Sequence, residues 1–319
     1  MPDRSWPKDF KDRLTHPLPG FGHMWKIIRE GGFRGDGNQA RDAAQVPRGD
    51  GKLPALKKGH SSLTWVGHAT YLIRTGGLAI LADPVWTNKL PGPRSARLTP
   101  PGIRFEDLPK IDAVVISHNH YDHQDKATLR RFPKDTPMLV PGGSAGWFRA
   151  LGFTDVRELD WYESTTIAGV QFDFVPSHHW SRRGLFDTCR HLWGGWVITS
   201  GDHRLYHAGD TGYGHFFKDI GAKYPGIDAA MLPIGAYAPR WFMQPVHTDP
   251  DECLQIMTDL GASKMATMHW GTFVLTAEPF LEPLKRTRAA WAKSGRPETD
   301  LWDLALGETR VLEGAPKSR

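Results

Sequence analysis

The chain has 319 residues, 39% hydrophobic and 24% charged, enough to bury a large core in one globular domain. Its formal net charge is only +5 and no recognition-helix or RNP-like aromatic pattern accompanies it, so no nucleic-acid partner is expected. The two cysteines, Cys189 and Cys253, make no CxxC pair, the N-terminus is charged and broken by prolines, and no run approaches the roughly 20 apolar residues of a membrane span. These features predict a cytoplasmic protein, with any membrane contact peripheral and at the inner face.

Residues 1–58 are rich in Gly, Pro, Arg and Lys with scattered aromatics and read as an N-terminal arm; residues 59–319 read as the folded domain. Pro7, Pro17 and Pro19 rule out one continuous amphipathic helix in the arm, which favours wrapping around the domain over lying on a membrane. From Ser61 onward "SSLTWVG", "TYLIRT" and "LAILADP" predict a meander of strands, followed by a long loop with repeated Pro and Gly over 84–102. "DAVVIS" predicts a buried strand, "DKATLRRF" a helix, "PMLVP" a strand and "SAGWFRALG" a helix. Strands follow at "VQFDFVPS", "GGWVITS", "RLYHAGD" and "DAAMLPIG". "DPDECLQIMTDLG" predicts a helix capped by Asp249 with Pro250 in its first turn, and then "KMATMH" a strand. The helix "EPFLEPLKRTRAAWAKSG" and the strand "TRVLE" close the chain. Strands followed by helices in each half predict two sheets packed face to face with helices outside, a four-layer α/β/β/α sandwich.

The stretch "SHNHYDH" (117–123) places His118, His120, Asp122 and His123 directly after a buried strand. His118 and His120 alternate, so in extended backbone both point to one side, where a metal could sit. One loop cannot complete two coordination shells. Later strand ends offer His178 and His179 in "SHHW", Asp210 in "AGDTGY" and His269 in "MHWGT". Imidazole and carboxylate donors without a cysteine suit zinc and also admit iron or manganese. Asp83, in "ADP", is either an orienting partner of a ligand histidine or a turn carboxylate.

The HxHxDH loop, the later histidine, the Gly-Asp-Thr aspartate and the last histidine resemble the metallo-β-lactamase fold superfamily. "WVGHATYLI", "HHWSRRGLFD", "LWGGW", "LPIGAYAPRWFMQPVHTDPDE" and "HWGTF" extend the likeness over roughly 60–310, to the N-acyl-phosphatidylethanolamine-hydrolysing phospholipase D family. The resemblance implies two zinc ions, one on His118, His120 and His179, the other on Asp122, His123 and His269, with Asp210 bridging. His179 is preferred to His178 because it precedes Trp180, and because neighbours on a strand face opposite ways. The same resemblance implies substrate contacts from Tyr121, Arg182 and His247, and catalytic roles for Asp122 and His247. Each has a plainer alternative, Arg182 as a loop charge and His247 as a turn residue before a helix.

A pair of such metals implies hydrolysis, and the absence of a GxSxG elbow fits a reaction with no serine nucleophile. The family implies a phospholipase D-type phosphodiesterase that converts N-acyl-phosphatidylethanolamine or a related phospholipid into N-acylethanolamine and phosphatidic acid. The alternatives are hydrolysis of another ester, lactone or thioester, and a metal-loaded binding protein without turnover. A small phosphodiester substrate and a homodimer are also compatible with the sequence. Tyr237, Trp241, Phe242 and Met243 could line an acyl groove or pack internally.

Overall fold

The computed structural model describes residues 4–92, 95–201 and 203–314; the last five residues of the expected domain, 315–319, lie outside them. The meander takes shape as β1 (Ser61–Gly67), β2 (Thr70–Thr75) and β3 (Leu78–Ala82), antiparallel neighbours. Next, β4 (Ala113–Val115), β5 (Met138–Pro141) and β6 (Val156–Leu159) extend the same sheet in parallel from β3. The second sheet holds β7 (Ser164–Ile167), β8 (Val170–Val175), β9 (Gly195–Thr199), β10 (Arg204–His207), β11 (Ala229–Pro233), β12 (Lys264–Met268) and β13 (Leu301–Trp302) in spatial order 13-12-11-10-9-8-7. The last strand, β14 (Thr309–Leu312), returns to pair antiparallel with β1, giving two seven-stranded mixed sheets.

Period-two alternation sorts the first sheet's side chains into two cores. Leu63, Trp65, Tyr71, Ile73, Ile80 and Val115 join the core shared with the second sheet. Their neighbours Val66, Leu72, Leu81, Val114 and Ile116 face the other way, into a smaller core that includes Leu129 and Phe148. Those two residues come from α3 (Lys126–Leu129) and α4 (Ala145–Arg149). On the far side of the second sheet, α7 (Pro250–Leu260) packs against α5 (Phe216–Lys223), α8 (Glu282–Ser294) and β11. The architecture is the expected α/β/β/α sandwich.

Asp249 caps α7 through a capping box with Glu252, and Pro250 occupies its first turn, as the sequence predicts. The helix expected at "DKATLRRF" is shorter than predicted: Asp125 caps it by accepting from the amides of Ala127 and Thr128, and only Lys126–Leu129 is helical. Three edge strands, β6, β7 and the two-residue β13, and helix α5 were not anticipated; β6 and β7 are only partly buried and lack a clean apolar alternation.

Most of the N-terminal stretch wraps the sandwich. The Phe10 amide donates to the Cys189 carbonyl at 2.7 Å, Trp6 Nε1 donates to Glu158 at 2.9 Å, and Phe10, Ala43 and Val46 belong to the main core. Between these anchors lie α1 (Phe21–Arg29) and, just before Ala44, α2 (Gln39–Ala43); α6 (Arg240–Met243) lies opposite α1.

Candidate metal centre

Strand β4 runs parallel to β3, and β10, β11 and β12 run parallel to one another, so within each sheet their C-terminal ends open toward one rim of the sandwich. The side chains expected to bind metal come from loops at that rim. His118 Nε2 lies 2.9 Å from His120 Nδ1, which is 3.2 Å from His179 Nε2. Asp210 Oδ2 is 3.8 Å from the Nε2 atoms of both His118 and His179. Four potential donor atoms thus fall within 4.8 Å of one another. A second group forms around His123 Nε2, which is 3.2 Å from Asp210 Oδ2, and His269 Nε2, which is 3.1 Å from Asp210 Oδ1 and 3.4 Å from Asp122 Oδ2. Asp210 faces both groups.

Whether a cation suits these positions follows from the electrostatics. His123 Nε2, His269 Nε2 and Asp210 Oδ1 are buried with no hydrogen-bond partner, a cost that folded proteins rarely carry unless something else satisfies the atoms. Burial drives the charged ring of His120 down to about 4 and that of His179 to about 3, with Asp210 opposing, so both are neutral donors at physiological pH. His269 behaves in the opposite way. Burial again disfavours its charge, yet Asp210 and Asp122 prevail and raise it to about 9. His123 is likewise raised, by Asp210, Asp122 and Asp83 against burial. Two carboxylates therefore demand positive charge at the second group, and a divalent cation meets that demand while satisfying the unpartnered atoms.

Outer contacts orient the rings. Asp83 takes the Nδ1–H of His123 at 2.8 Å, the hydroxyl of Ser117 at 2.6 Å and the amide of Ser117 at 2.7 Å. It is thus both the carboxylate before Pro84 and the partner of a candidate ligand. Ser117 Oγ lies 2.9 Å from His118 Nδ1, and His179 donates from Nδ1 to the Val246 carbonyl at 3.0 Å. His178 turns away, its Nδ1 3.2 Å from the Tyr213 carbonyl and its ring on Phe216.

Two residues escaped the sequence reading. His68, buried after β1 with φ 54°, places Nε2 2.8 Å from Asp122 Oδ2. Arg183 donates to the carbonyls of Asn119 at 2.8 Å and Gln124 at 2.7 Å, clamping the histidine loop from outside. The only signal for His68 was its place in "WVGHATYLI", at a strand end like the other histidines; nothing distinguished Arg183 from Arg182.

An apolar cavity of about 420 Å³ ends on this centre. His120, His179 and His247 form its floor, Arg182 lies on its wall, and Leu14, Leu18, Met24 and Phe33 of the N-terminal stretch close one side opposite Phe242. The His247 ring stands 5.2 Å from that of His179 and 5.4 Å from that of His269, and its Nδ1 is buried without a partner. Tyr121 stands apart. Its hydroxyl donates to the Arg183 carbonyl, its ring lies under the Arg183 guanidinium, and it is absent from the cavity lining. Of the loop after β11, Tyr237 and Met243 are buried, Phe242 faces the cavity and Trp241 is partly exposed.

Residues 79–270 match the family model of the Beta-lactamase superfamily domain. The chain belongs to the metallo-β-lactamase superfamily. Among its relatives, this superfamily member is 36% identical over 265 residues to N-acyl-phosphatidylethanolamine-hydrolyzing phospholipase D 1 of Caenorhabditis elegans, covering 77% of this chain and 74% of the worm protein. It is 38% identical to the mitochondrial N-acyl-phosphatidylethanolamine-hydrolyzing phospholipase D of Saccharomyces cerevisiae, covering 70% of this chain and 50% of the yeast protein. Igni18, a metallo hydrolase from Ignicoccus hospitalis, shares the fold with a TM-score of 0.61 at 22% identity, over 80% of this chain and all of its own. The superfamily member is a metal-dependent hydrolase by fold and relatives, and the clusters at its rim are able to bind metal. No helix among the described residues is long and apolar enough to cross a membrane.

Proposed function

We propose that this protein is a dinuclear zinc phosphodiesterase of phospholipase D type, acting on N-acyl-phosphatidylethanolamine or a related phospholipid. The observation that carries the reading is the apolar cavity of about 420 Å³ whose floor holds His120 and His179 of the first donor group, with Asp210 within 3.8 Å of that group and 3.2 Å of the second. Two relatives named for this activity support it. In this reading His118, His120 and His179 hold one ion, Asp122, His123 and His269 the other, and Asp210 both. Two such ions, when bound, ionise a water at neutral pH and neutralise charge on the phosphoryl and leaving oxygens.

The remaining work falls to the chain's own groups. Asp122, held by His68 at 2.8 Å, accepts the proton of the attacking water. The new O–P bond forms as the bond to the ethanolamine oxygen breaks, and the proton ends on that oxygen. His247, driven down to about 3 by burial, remains a neutral ring whose N–H donates to the phosphoryl or leaving oxygen. Arg182 on the cavity wall pairs with a phosphate oxygen, and the apolar wall takes the acyl chain.

The test is turnover of a phospholipid panel by metal-replete protein, with metal content measured alongside. N-acylethanolamine should appear, vanish with chelator and fall by about a hundredfold or more in Asp210→Asn, which loses the carboxylate shared by both groups. Release from lactone or ester substrates alone, with every phosphodiester untouched, would overturn the substrate assignment and leave the hydrolase.

A further inference from the structure

Helix α1 is built inside out. An amphipathic helix packed on a protein turns its apolar stripe inward, yet Phe21, Met24, Trp25 and Ile28, which share one face by their spacing, are 88%, 37%, 56% and 57% exposed, and Ile27 alone of the helix is buried. Two further segments at the same cavity expose large apolar side chains. Leu185 and Phe186, three and four residues after the cavity residue Arg182, are 77% and 84% exposed; Trp241, next to the cavity residue Phe242, is 40% exposed. The N-terminal segment and the Trp241 segment are joined at the mouth: the rings of His23 and Trp241 are 6.3 Å apart, Lys26 Nζ lies 4.2 Å from the Trp241 ring, and Phe33 meets Phe242 at 6.3 Å.

We propose that the outward stripe of α1, with Leu185, Phe186 and Trp241, seats the mouth of the cavity on a phospholipid bilayer bearing anionic headgroups. The proposal deepens the lipid reading given above and rests on it for the nature of the substrate. Charge selects the occupant. Residues 21–34 carry Lys26, Arg29 and Arg34 against Glu30 alone, and the Arg29 guanidinium lies 4.8 Å from the Trp25 ring. Apolar side chains interleaved with cations match the boundary between acyl chains and anionic headgroups. A second copy of this chain is a poorer partner, because an isologous contact would set the same cations against one another. Met24 has a double placement, on the exposed stripe and in the cavity lining, so a lipid leaving the bilayer meets a continuous apolar path to His120 and His179.

Co-sedimentation of the full metal-loaded protein with phosphatidylcholine vesicles, with and without phosphatidylglycerol, tests this. Binding should be strongest with phosphatidylglycerol and weaken as salt is raised. The pairs Trp25→Ala with Ile28→Ser, and Leu185→Ser with Phe186→Ser, should each lower vesicle affinity by about tenfold or more. Their turnover of the soluble diester bis-p-nitrophenyl phosphate should be unchanged. Wild-type protein that stays in the supernatant, or variants that sediment like wild type, would overturn the proposal. So would a dimer, seen by light scattering, that the same substitutions dissociate, or variants that lose soluble turnover. Vesicle binding without hydrolysis of any phospholipid would sink the substrate reading alone.

Discussion

At the level of single residues, what lies in a motif was legible and what acts through a fold contact was not. His118, His120, Asp122 and His123 occupy one loop, and the resemblance, with its ligand before Trp180, preferred His179 over His178, whose ring points away onto Phe216; alternation required only that one of the two turn away. His68 is separated by 54 positions from the carboxylate it meets, a juxtaposition that only the packing of β1 beside the histidine loop creates. It presents a donor to Asp122 Oδ2, the oxygen that also lies 3.4 Å from His269, and so holds that carboxylate in the centre. His68→Ala should lower metal affinity at the second group by about 10- to 100-fold, read as earlier release of one of two zinc ions in a chelator titration. His68→Gln, which keeps a donor, should recover part of it. Unchanged release of both ions would show that Asp122 needs no such support.

The elements carry the next constraint, because the centre is assembled from loops that strands must deliver without slack. The lengths of β1 and β12 were close to those expected, β1 being buried throughout and β12 at all but its first residue, whereas β6 is only partly buried at three of four positions and β7 exposes alternate ones, and neither gave such a pattern. Two contacts between elements are open to test. Gly209, at φ 60° between β10 and Asp210, would place a Cβ 2.5 Å from the Ser117 Cβ. Gly209→Ala should therefore cost roughly 2–4 kcal/mol, from left-handed backbone and overpacking together, and displace Asp210 from the centre. A urea midpoint equal to wild type would refute the close approach. Arg183→Ala should cost a similar amount, about 2–4 kcal/mol, by leaving the carbonyls of Asn119 and Gln124 without their donor.

Across the whole molecule, the mirrored order of the two sheets explains why so much of the architecture was legible: each half of the chain repeats antiparallel strands followed by parallel ones. The position of α1 was not, because the prolines argued against one long helix but said nothing about a short one that faces outward. The shared centre also couples its histidines into a pH response of the entire fold. In protein stripped of metal, burial holds His120 down to about 4 and His68, His179 and His247 to about 3, below their unfolded value of 6.5. Below about pH 6.5 the unfolded chain takes up protons that these buried rings refuse, so their contribution to stability is full above 6.5 and is lost as pH falls through the folded values. His269 has the opposite sign. Raised to about 9 by Asp210 and Asp122 against burial, it stabilises fully below 6.5, and that contribution is lost as pH rises through 9. The urea midpoint of chelated protein should thus peak near about pH 6.5 and decline on both sides. Zinc added at about pH 8 should raise it, since the cation takes over the positive charge that His269 and His123 supply at lower pH. A midpoint that climbs steadily from about pH 5 to about pH 9 without metal would mean that neither ring carries a proton between the two carboxylates.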